Sequence, residues 1–160
     1  MLYILIVIAF VITEHIIKNY IEENKQLGEQ QEILKGKIII RKHYNEGAFL
    51  NFLENKKEML KTISCICLGL LLLLFAITLP KKGNKLFKLG LSLALGGAIS
   101  NVIDRIHKGY VVDYFSINHK KLKSVIFNLA DFAIMFGSTL IFLSSVFSTK
   151  SKRSSDKTAE

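Results

Sequence analysis

The sequence predicts an all-α integral membrane protein, with four transmembrane helices, a small extracytoplasmic β-sheet and a short interfacial helix. Half of the 160 residues are hydrophobic, and long uncharged runs alternate with short, densely charged segments. The run "TISCICLGLLLLLFAITLP" contains no charged side chain, and its length is close to the ~20 residues that a helix needs to cross a bilayer core. A soluble chain this short could not bury several such runs, so the pattern favours a membrane.

Four apolar segments define the predicted spans, which together form a single membrane-embedded domain at residues 1–148. The spans cover residues 1–21, 61–80, 86–103 and 125–147. The region 22–60 is polar and contains "KIIIRKHYNEGAFLNF", whose β-branched and aromatic residues flank an Asn-Glu-Gly turn signal and predict one or two short strands. "GYVVDYF", which follows the third span, is a further extended candidate, and "NKKEMLK" leads helically into the second span.

The distribution of lysines predicts that both termini lie in the cytoplasm. "PKKGNKLFK", between the second and third spans, has four lysines and no acid, and the tail 149–160 is also basic. Both segments belong inside by the positive-inside rule. The region 22–61 mixes eight basic with seven acidic residues, as expected outside. The segment 104–124 is also placed outside by this topology, although its five basic residues run against the trend.

The net charge of +9 does not indicate a protein that binds nucleic acid. The basic residues stand in short clusters beside apolar runs, where lysines meet the anionic headgroups of membrane lipids. Cys65 and Cys67 lie two apart in one apolar run and do not face each other on a helix, and the chain has no HExxH motif. The four histidines are scattered, as is typical of interfacial or surface residues. The sequence therefore predicts no metal or other cofactor.

Polar residues recur where the third span ends and the fourth begins. Asn101 and Asp104 lie three apart on the third span, and Asn128 and Asp131 lie three apart on the fourth. An ionisable residue within a span costs at least ~2.5 kcal/mol on insertion scales, so Asp131 indicates a functional site. Small residues precede this polar face and allow close approach of a neighbouring helix. They are Ser92, Gly96, Gly97 and Ser100.

Three hypotheses account for an acid at the depth of Asp131. In the first, Asp131 joins a structural ion network with Arg105 or a lysine. In the second, it meets a second carboxylate from Asp104 or Asp113, and residue spacing does not choose between these two. Carboxylates in one low-dielectric pocket tend to share a proton, so one can deprotonate a water while the other protonates a leaving group, which is metal-free peptide hydrolysis. The third, a proton-conducting transporter subunit, is disfavoured by four short spans without an internal repeat.

Five sequence blocks resemble those of signal peptidase II, the lipoprotein signal peptidase. In chain order they are "EHIIK", "YNEGAFLNF", "GGAISNVIDR", "GYVVDYF" and "FNLAD". The resemblance extends across residues 14–137 and agrees with the four-span layout. It implies an aspartyl endopeptidase of the bacterial cytoplasmic membrane that removes the signal peptide from diacylglyceryl-modified prolipoproteins, so the expected partners are these substrates and membrane lipids.

The resemblance also implies roles for individual residues. Asp113 and Asp131 are the implied catalytic pair, and Asn45 is implied to bind the substrate backbone near the scissile bond. The other implied residues support the substrate or the acids. Gly47 and Ala48 are implied to leave room for the substrate, and Asn101 and Asn128 to hold the carboxylates. Asp104 and Arg105 are implied to form an ion pair, and Glu14 and Lys18 lie four apart on one face near the end of the first span.

Three positions differ from the usual family pattern. Glu14 stands where the family usually has Asp, the block that begins at Asn45 is shorter, and Phe132 follows Asp131 where a small polar residue is usual. These differences raise a second functional hypothesis: a catalytically impaired relative that binds lipoproteins or lipopeptides without cleaving them.

Overall fold

The computed structural model describes residues 1–47 and 56–156. The helices are α1 Leu2–Asn24, α2 Lys57–Thr78, α3 Lys85–His107 and α4 Leu129–Asp156, and the strands are β1 Gln30–Ile33, β2 Ile38–Asn45 and β3 Val111–Ile117. Each helix is long and apolar enough to cross a membrane, α4 over Leu129–Phe147. The prediction of four membrane helices with a small sheet is therefore confirmed, while the predicted interfacial helix stays a prediction because residues 48–55 lie outside the described residues.

Helix α3 lies at the centre of the bundle and packs against the other three helices. In its most apolar window 61% of the residues are buried, against 6% for α2, which packs against α3. Glycines permit the close contacts: Gly96 faces Phe10 of α1, and Gly97 faces Ala130 of α4. A Cβ added at Gly97 would lie 2.5 Å from the carbonyl oxygen of Ala130. The predicted small-residue face is thus divided between two neighbouring helices.

The three strands form an antiparallel sheet in the order β1-β2-β3. Strand β2 falls within the first predicted extended segment, β3 begins in the second and extends two residues beyond it, and β1 was not predicted. Successive side chains of β3 point to opposite faces of the sheet, and Val112 and Tyr114 pack with Ile21 of α1. The opposite face of β3 carries Asp113 and belongs to the site described below.

The fourth helix begins later than predicted because the chain before it pairs with β3. The N–H of Phe127 donates to the carbonyl of Phe115 (2.7 Å), and the N–H of Phe115 donates back to Phe127 (3.0 Å). This pairing holds the backbone extended until Asn128, so helix begins at Leu129 rather than at residue 125. At its other end α4 continues to Asp156, so most of the predicted tail 149–160 is helical and residues 157–160 lie outside the described part.

Polar residues of three helices converge at one end of the bundle. The C-terminal halves of α1 and α3, the start of α4 and the sheet meet there. The lysine-rich turn between α2 and α3 lies at the other end, where Lys88 donates to the carbonyl of Leu79 and Ser144 donates to Asn84. The bundle therefore has one end with a sheet and buried acids and one end rich in lysine.

Candidate active site

A β-bulge in β2 decides which side chains face Asp113. Ile40 pairs with Phe115 but His43 pairs with Asp113, so β2 carries one more residue than β3 between these two pairs. Because side chains alternate between the faces of a strand, the extra residue brings His43 and Asn45 to the face that carries Asp113. The bulge thus adds an imidazole and an amide to the side of the sheet on which the acid lies.

The first turn of α4 holds Asp131 through a reciprocal cap. The N–H of Asp131 donates to Oδ1 of Asn128 (2.9 Å), and the N–H of Asn128 donates to Oδ2 of Asp131 (3.1 Å). This is a capping box, in which the residue before a helix and the third helical residue satisfy each other's backbone donors. The three-residue spacing seen in the sequence is therefore a helix start that also fixes a carboxylate at the helix N-terminus.

Asn128 also joins the two acids. Its Nδ2 donates to Oδ1 of Asp113 at 2.7 Å, while Asn45 donates to Oδ2 of the same carboxylate at 2.9 Å. Asn101 donates to Oδ1 of Asp131 at 3.0 Å. Every carboxylate oxygen of the pair therefore accepts a hydrogen bond, and one residue touches both acids. Of the two partners that residue spacing left open for Asp131, the geometry brings Asp113 to it.

The two acids line one cavity of about 460 Å³ whose wall is part polar and part apolar. The polar wall contains His43, Asn45, Asn101, Arg105, Asp113, Ser124 and Asp131. The apolar wall contains Val111, Val125, Ile126, Phe127, Phe132, Ile134 and Met135. Met135 is 60% exposed on the outer surface of α4, so the apolar wall is continuous with the surface that would face lipid. A ligand with a polar backbone and an apolar chain suits such a cavity.

The electrostatics of the cavity favour the neutral form of Asp113. Burial and the neighbouring Asp131 carboxylate raise the pKa of Asp113 from its ordinary value of 3.8 to about 7. The hydrogen bonds from Asn45 and Asn128 oppose this rise, because they favour the charged form. Near neutral pH, Asp113 therefore exists partly as the neutral acid and can supply a proton.

Asp104 lies behind the cavity and has cationic partners of its own. Its carboxylate is 2.9 Å from Lys18 Nζ and 3.2 Å from Lys108 Nζ. Arg105, the predicted ion-pair partner of Asp104, is attracted by its charge, but as the next residue of α3 it points about 100° away. Asp104 faces α1, whereas Arg105 lines the cavity.

Glu14 and Lys18 are fully buried inside the protein. Their exposed fractions are 0% and 1%, and Lys18 Nζ is 4.0 Å from Glu14 Oε1. Lys18 also donates to Ser100 (3.2 Å) and to Oδ1 of Asn101 (2.9 Å). Because the other end of the Asn101 amide donates to Asp131, Lys18 fixes the orientation of an amide that holds one of the acids.

Arg105 connects the cavity to the loop after β2. Its Nη2 donates to the carbonyl of Gly47 at 3.2 Å, and the N–H of Gly47 donates to Oδ1 of Asn45 at 3.0 Å. Since this bond occupies the amide oxygen of Asn45, the amide nitrogen points to Asp113. The structure thus brings Asn45, Gly47 and Arg105 to the acids, while the predicted site residue Ala48 lies outside the described residues.

Two neighbours of Asp113 were missed by sequence reasoning. His43 was grouped with the scattered histidines, yet it lies opposite Asp113 and lines the cavity. Tyr114 was not singled out, although its hydroxyl donates to Glu14 at 2.8 Å. The alternation of side chains in a strand indicates that Tyr114 faces away from the acid, but its partner is known only from the fold.

The unusual residues Phe132 and Glu14 fit around the acids. Phe132 packs against Phe115 and Phe127, with ring centroids 5.4 Å away in each case. Glu14 accepts a hydrogen bond from the N–H of Ala130 (3.3 Å), at the start of α4. Both residues that depart from the family pattern therefore have packing or hydrogen-bond partners beside the two acids.

Comparison with known proteins shows the family to which the chain belongs. The family model described as signal peptidase (SPase) II matches residues 6–147. The chain is 33% identical over 146 residues to a lipoprotein signal peptidase of Lactobacillus johnsonii, covering 91% of this chain and 92% of that protein. It is 34% identical, with the same coverage, to a lipoprotein signal peptidase of Lactobacillus gasseri.

Two solved structures share the fold. One is a bacterial membrane enzyme determined by the in meso method at 2.3 Å resolution, with a TM-score of 0.81 and 28% identity, covering 94% of this chain and 90% of that one. The second is a bacterial membrane enzyme determined in the same way at 1.9 Å, with a TM-score of 0.75, 29% identity and coverage of 89% and 90%. Because the family model and the relatives match almost the whole length of this multi-pass membrane protein, it belongs to the signal peptidase II family.

Proposed function

We propose that this chain is an aspartyl endopeptidase that removes the signal peptide from diacylglyceryl-modified prolipoproteins, with Asp113 and Asp131 as the catalytic pair. One observation carries the proposal: Asn128 donates to Asp113 and caps Asp131 at the polar wall of a single cavity. Membership of the signal peptidase II family supplies the reaction class, and the curated relatives are named as lipoprotein signal peptidases.

The proposed reaction begins with a water held between the two acids. Asp131 removes a proton from the water as its oxygen attacks the scissile carbonyl carbon, and Asp113 gives its proton to the carbonyl oxygen. The intermediate is a tetrahedral diol. It collapses when Asp131 returns its proton to the amide nitrogen and the carbon–nitrogen bond breaks. Asp113 then takes a proton from one hydroxyl as the new carboxyl forms, which restores both acids.

The other cavity residues suit the binding of a peptide backbone. Asn45 already donates to Asp113, and a substrate carbonyl beside it would compete for the same amide hydrogen atoms. Arg105 donates to Gly47 with one terminal nitrogen and retains further N–H groups towards the cavity. The apolar wall suits the apolar residues of a signal peptide, and its continuity with the outer surface of α4 gives the substrate's acyl chains a place in lipid.

The proposed orientation places the catalytic acids at the outer surface of the bacterial cytoplasmic membrane and both termini in the cytoplasm. The lysine-rich turn lies at the end of the bundle away from the acids, which agrees with the positive-inside rule. A prolipoprotein has its lipid in the membrane and its mature part outside. The outer end of α3 and α4 is therefore where the scissile bond is expected.

The decisive experiment is cleavage of a lipid-modified prolipoprotein by the purified protein and its Asp113→Asn and Asp131→Asn variants. We expect each variant to lose at least about 100-fold in rate, because each removes one half of the acid–base pair. Glu58→Gln is the matched control, since Glu58 is exposed at the start of α2. Normal cleavage by both aspartate variants would show that the acids are not catalytic. Substrate binding without turnover in the unsubstituted protein would favour the catalytically impaired relative.

A further inference from the structure

The start of α4 has four backbone N–H groups that need acceptors from outside the helix. Asn128 and Asp131 satisfy two of them through the capping box. The remaining two go to buried side chains of other elements. The N–H of Leu129 donates to the hydroxyl oxygen of Tyr114 at 3.1 Å, and the N–H of Ala130 donates to Oε1 of Glu14 at 3.3 Å.

Tyr114 and Glu14 are themselves bonded, so the two contacts form one bridge. The Tyr114 hydroxyl donates to Oε2 of Glu14 at 2.8 Å, and the two side chains are 5% and 0% exposed respectively. Burial and the neighbouring Glu14 carboxylate raise the pKa of Tyr114, so its hydroxyl keeps its proton and remains a donor. A bridge of this kind is isolated from water and has little freedom to rearrange.

The bridge connects the residues next to the two acids. Tyr114 directly follows Asp113 on β3, and Ala130 directly precedes Asp131 on α4. We propose that Tyr114 is a positioning residue: through Glu14 and the start of α4, its hydroxyl holds the backbone beside Asp113 at a fixed place relative to Asp131. This inference rests on the proposed function, because positioning matters to a reaction only if these two acids perform it.

The chemistry of the bridge requires this pair of side chains. One carboxylate must accept from a strand hydroxyl and from a helix amide at the same time, and Glu14 does so with its two separate oxygens. A phenylalanine at residue 114 would keep the packing against Ile21 but would leave Glu14 Oε2 and the Leu129 N–H without this partner. Removing this hydroxyl group therefore tests the proposal.

The test compares Tyr114→Phe with Tyr110→Phe in the full-length protein, using a lipid-modified prolipoprotein as substrate. Tyr110 is the matched control, because its hydroxyl bonds to Glu22 (3.3 Å) outside the cavity. We expect Tyr114→Phe to lower kcat by about 10- to 100-fold with KM unchanged, since misplacement of reacting groups by about 1 Å has such an effect. We also expect the high-pH fall in its rate to move to lower pH, because an Asp131 carboxylate that lies further away raises the pKa of Asp113 less.

Three outcomes would overturn the proposal: wild-type kcat in Tyr114→Phe, a loss confined to KM, or a lower melting temperature with an unchanged pH profile. If Tyr114→Phe does not fold, Glu14→Asp decides, since a carboxylate shortened by one methylene keeps its charge near Lys18 but reaches just one of its two donors. Wild-type kcat in Glu14→Asp would refute the bridge. Failure of the proposed function looks different, because Asp113→Asn and Asp131→Asn would then cleave normally.

Discussion

Replacing Asp113 with asparagine is expected to abolish cleavage and to stabilise the folded protein above pH 7. Burial and the Asp131 carboxylate raise the pKa of Asp113 from 3.8 to about 7, and the side chain is 2% exposed. One pKa unit corresponds to about 1.4 kcal/mol, so ionising Asp113 at pH 8 costs the folded protein about 4 kcal/mol. An amide carries no charge and removes this cost.

Part of that gain is lost through the hydrogen bonds that Asp113 accepts. Asn45 and Asn128 both donate to its carboxylate, whereas an asparagine has one acceptor oxygen and presents an NH₂ group to the second donor. A buried donor without a partner costs about 1–3 kcal/mol. The expected net stabilisation of Asp113→Asn at pH 8 is therefore about 1–3 kcal/mol.

The sign of the pH dependence follows from the direction of the pKa change. Because the folded pKa lies above the unfolded value, the neutral carboxyl favours the folded state below about pH 4, and this contribution is lost as the pH rises to about 7. The stability of the unsubstituted protein relative to Asp113→Asn should therefore fall between these pH values and stay constant above them.

The assay is thermal unfolding in detergent, followed by helical circular dichroism at about pH 5 and pH 8. A soluble domain of this size changes its melting temperature by about 2–4 °C per kcal/mol. We expect Asp113→Asn to melt higher than the unsubstituted protein at pH 8 by a few degrees, and by less at pH 5. Glu58→Gln, an exposed carboxylate, should follow the unsubstituted protein. An identical pH response of Asp113→Asn and the unsubstituted protein would refute the reasoning.

Three further outcomes test the packing and charges of the site. The value of kcat/KM should fall as the pH rises through about 7, because Asp113 then loses the proton that it donates; a rate that is flat from pH 6 to 9 would contradict this. Gly97→Ala should lower the melting temperature and activity together, since its Cβ would lie 2.5 Å from the carbonyl oxygen of Ala130; unchanged values for both would show that the helices move apart at no cost. Lys18→Met should destabilise the protein by about 3–5 kcal/mol, because it leaves Asp104 without its partner on α1. The melting temperature and the yield of folded protein measure this effect, and a neutral effect would show that other groups compensate the buried charge of Asp104.

Local patterns in the sequence were enough for the membrane class, the four spans and the segments in which β2 and β3 begin. Each of these depends on neighbours in the chain: the length of an apolar run sets a span, and alternation with turn residues indicates a strand. The start of α4 is also a local property, because Asn128 and Asp131 cap each other across three residues. The extended backbone that ends at Asn128 was instead predicted to be helical, because its pairing partner, β3, lies earlier in the chain.

The sequence by itself determined that acids occur within membrane spans, where their cost indicates a function, and the resemblance of its blocks to signal peptidase II indicated which acids. Only the tertiary structure decided that Asp113 meets Asp131 while Asp104 pairs with Lys18. It also decided that a bulge turns His43 and Asn45 towards Asp113, and that Tyr114 reaches α4. The physical reason is that these contacts join residues far apart in the chain, so their partners depend on helix rotation and strand register, which no local pattern specifies.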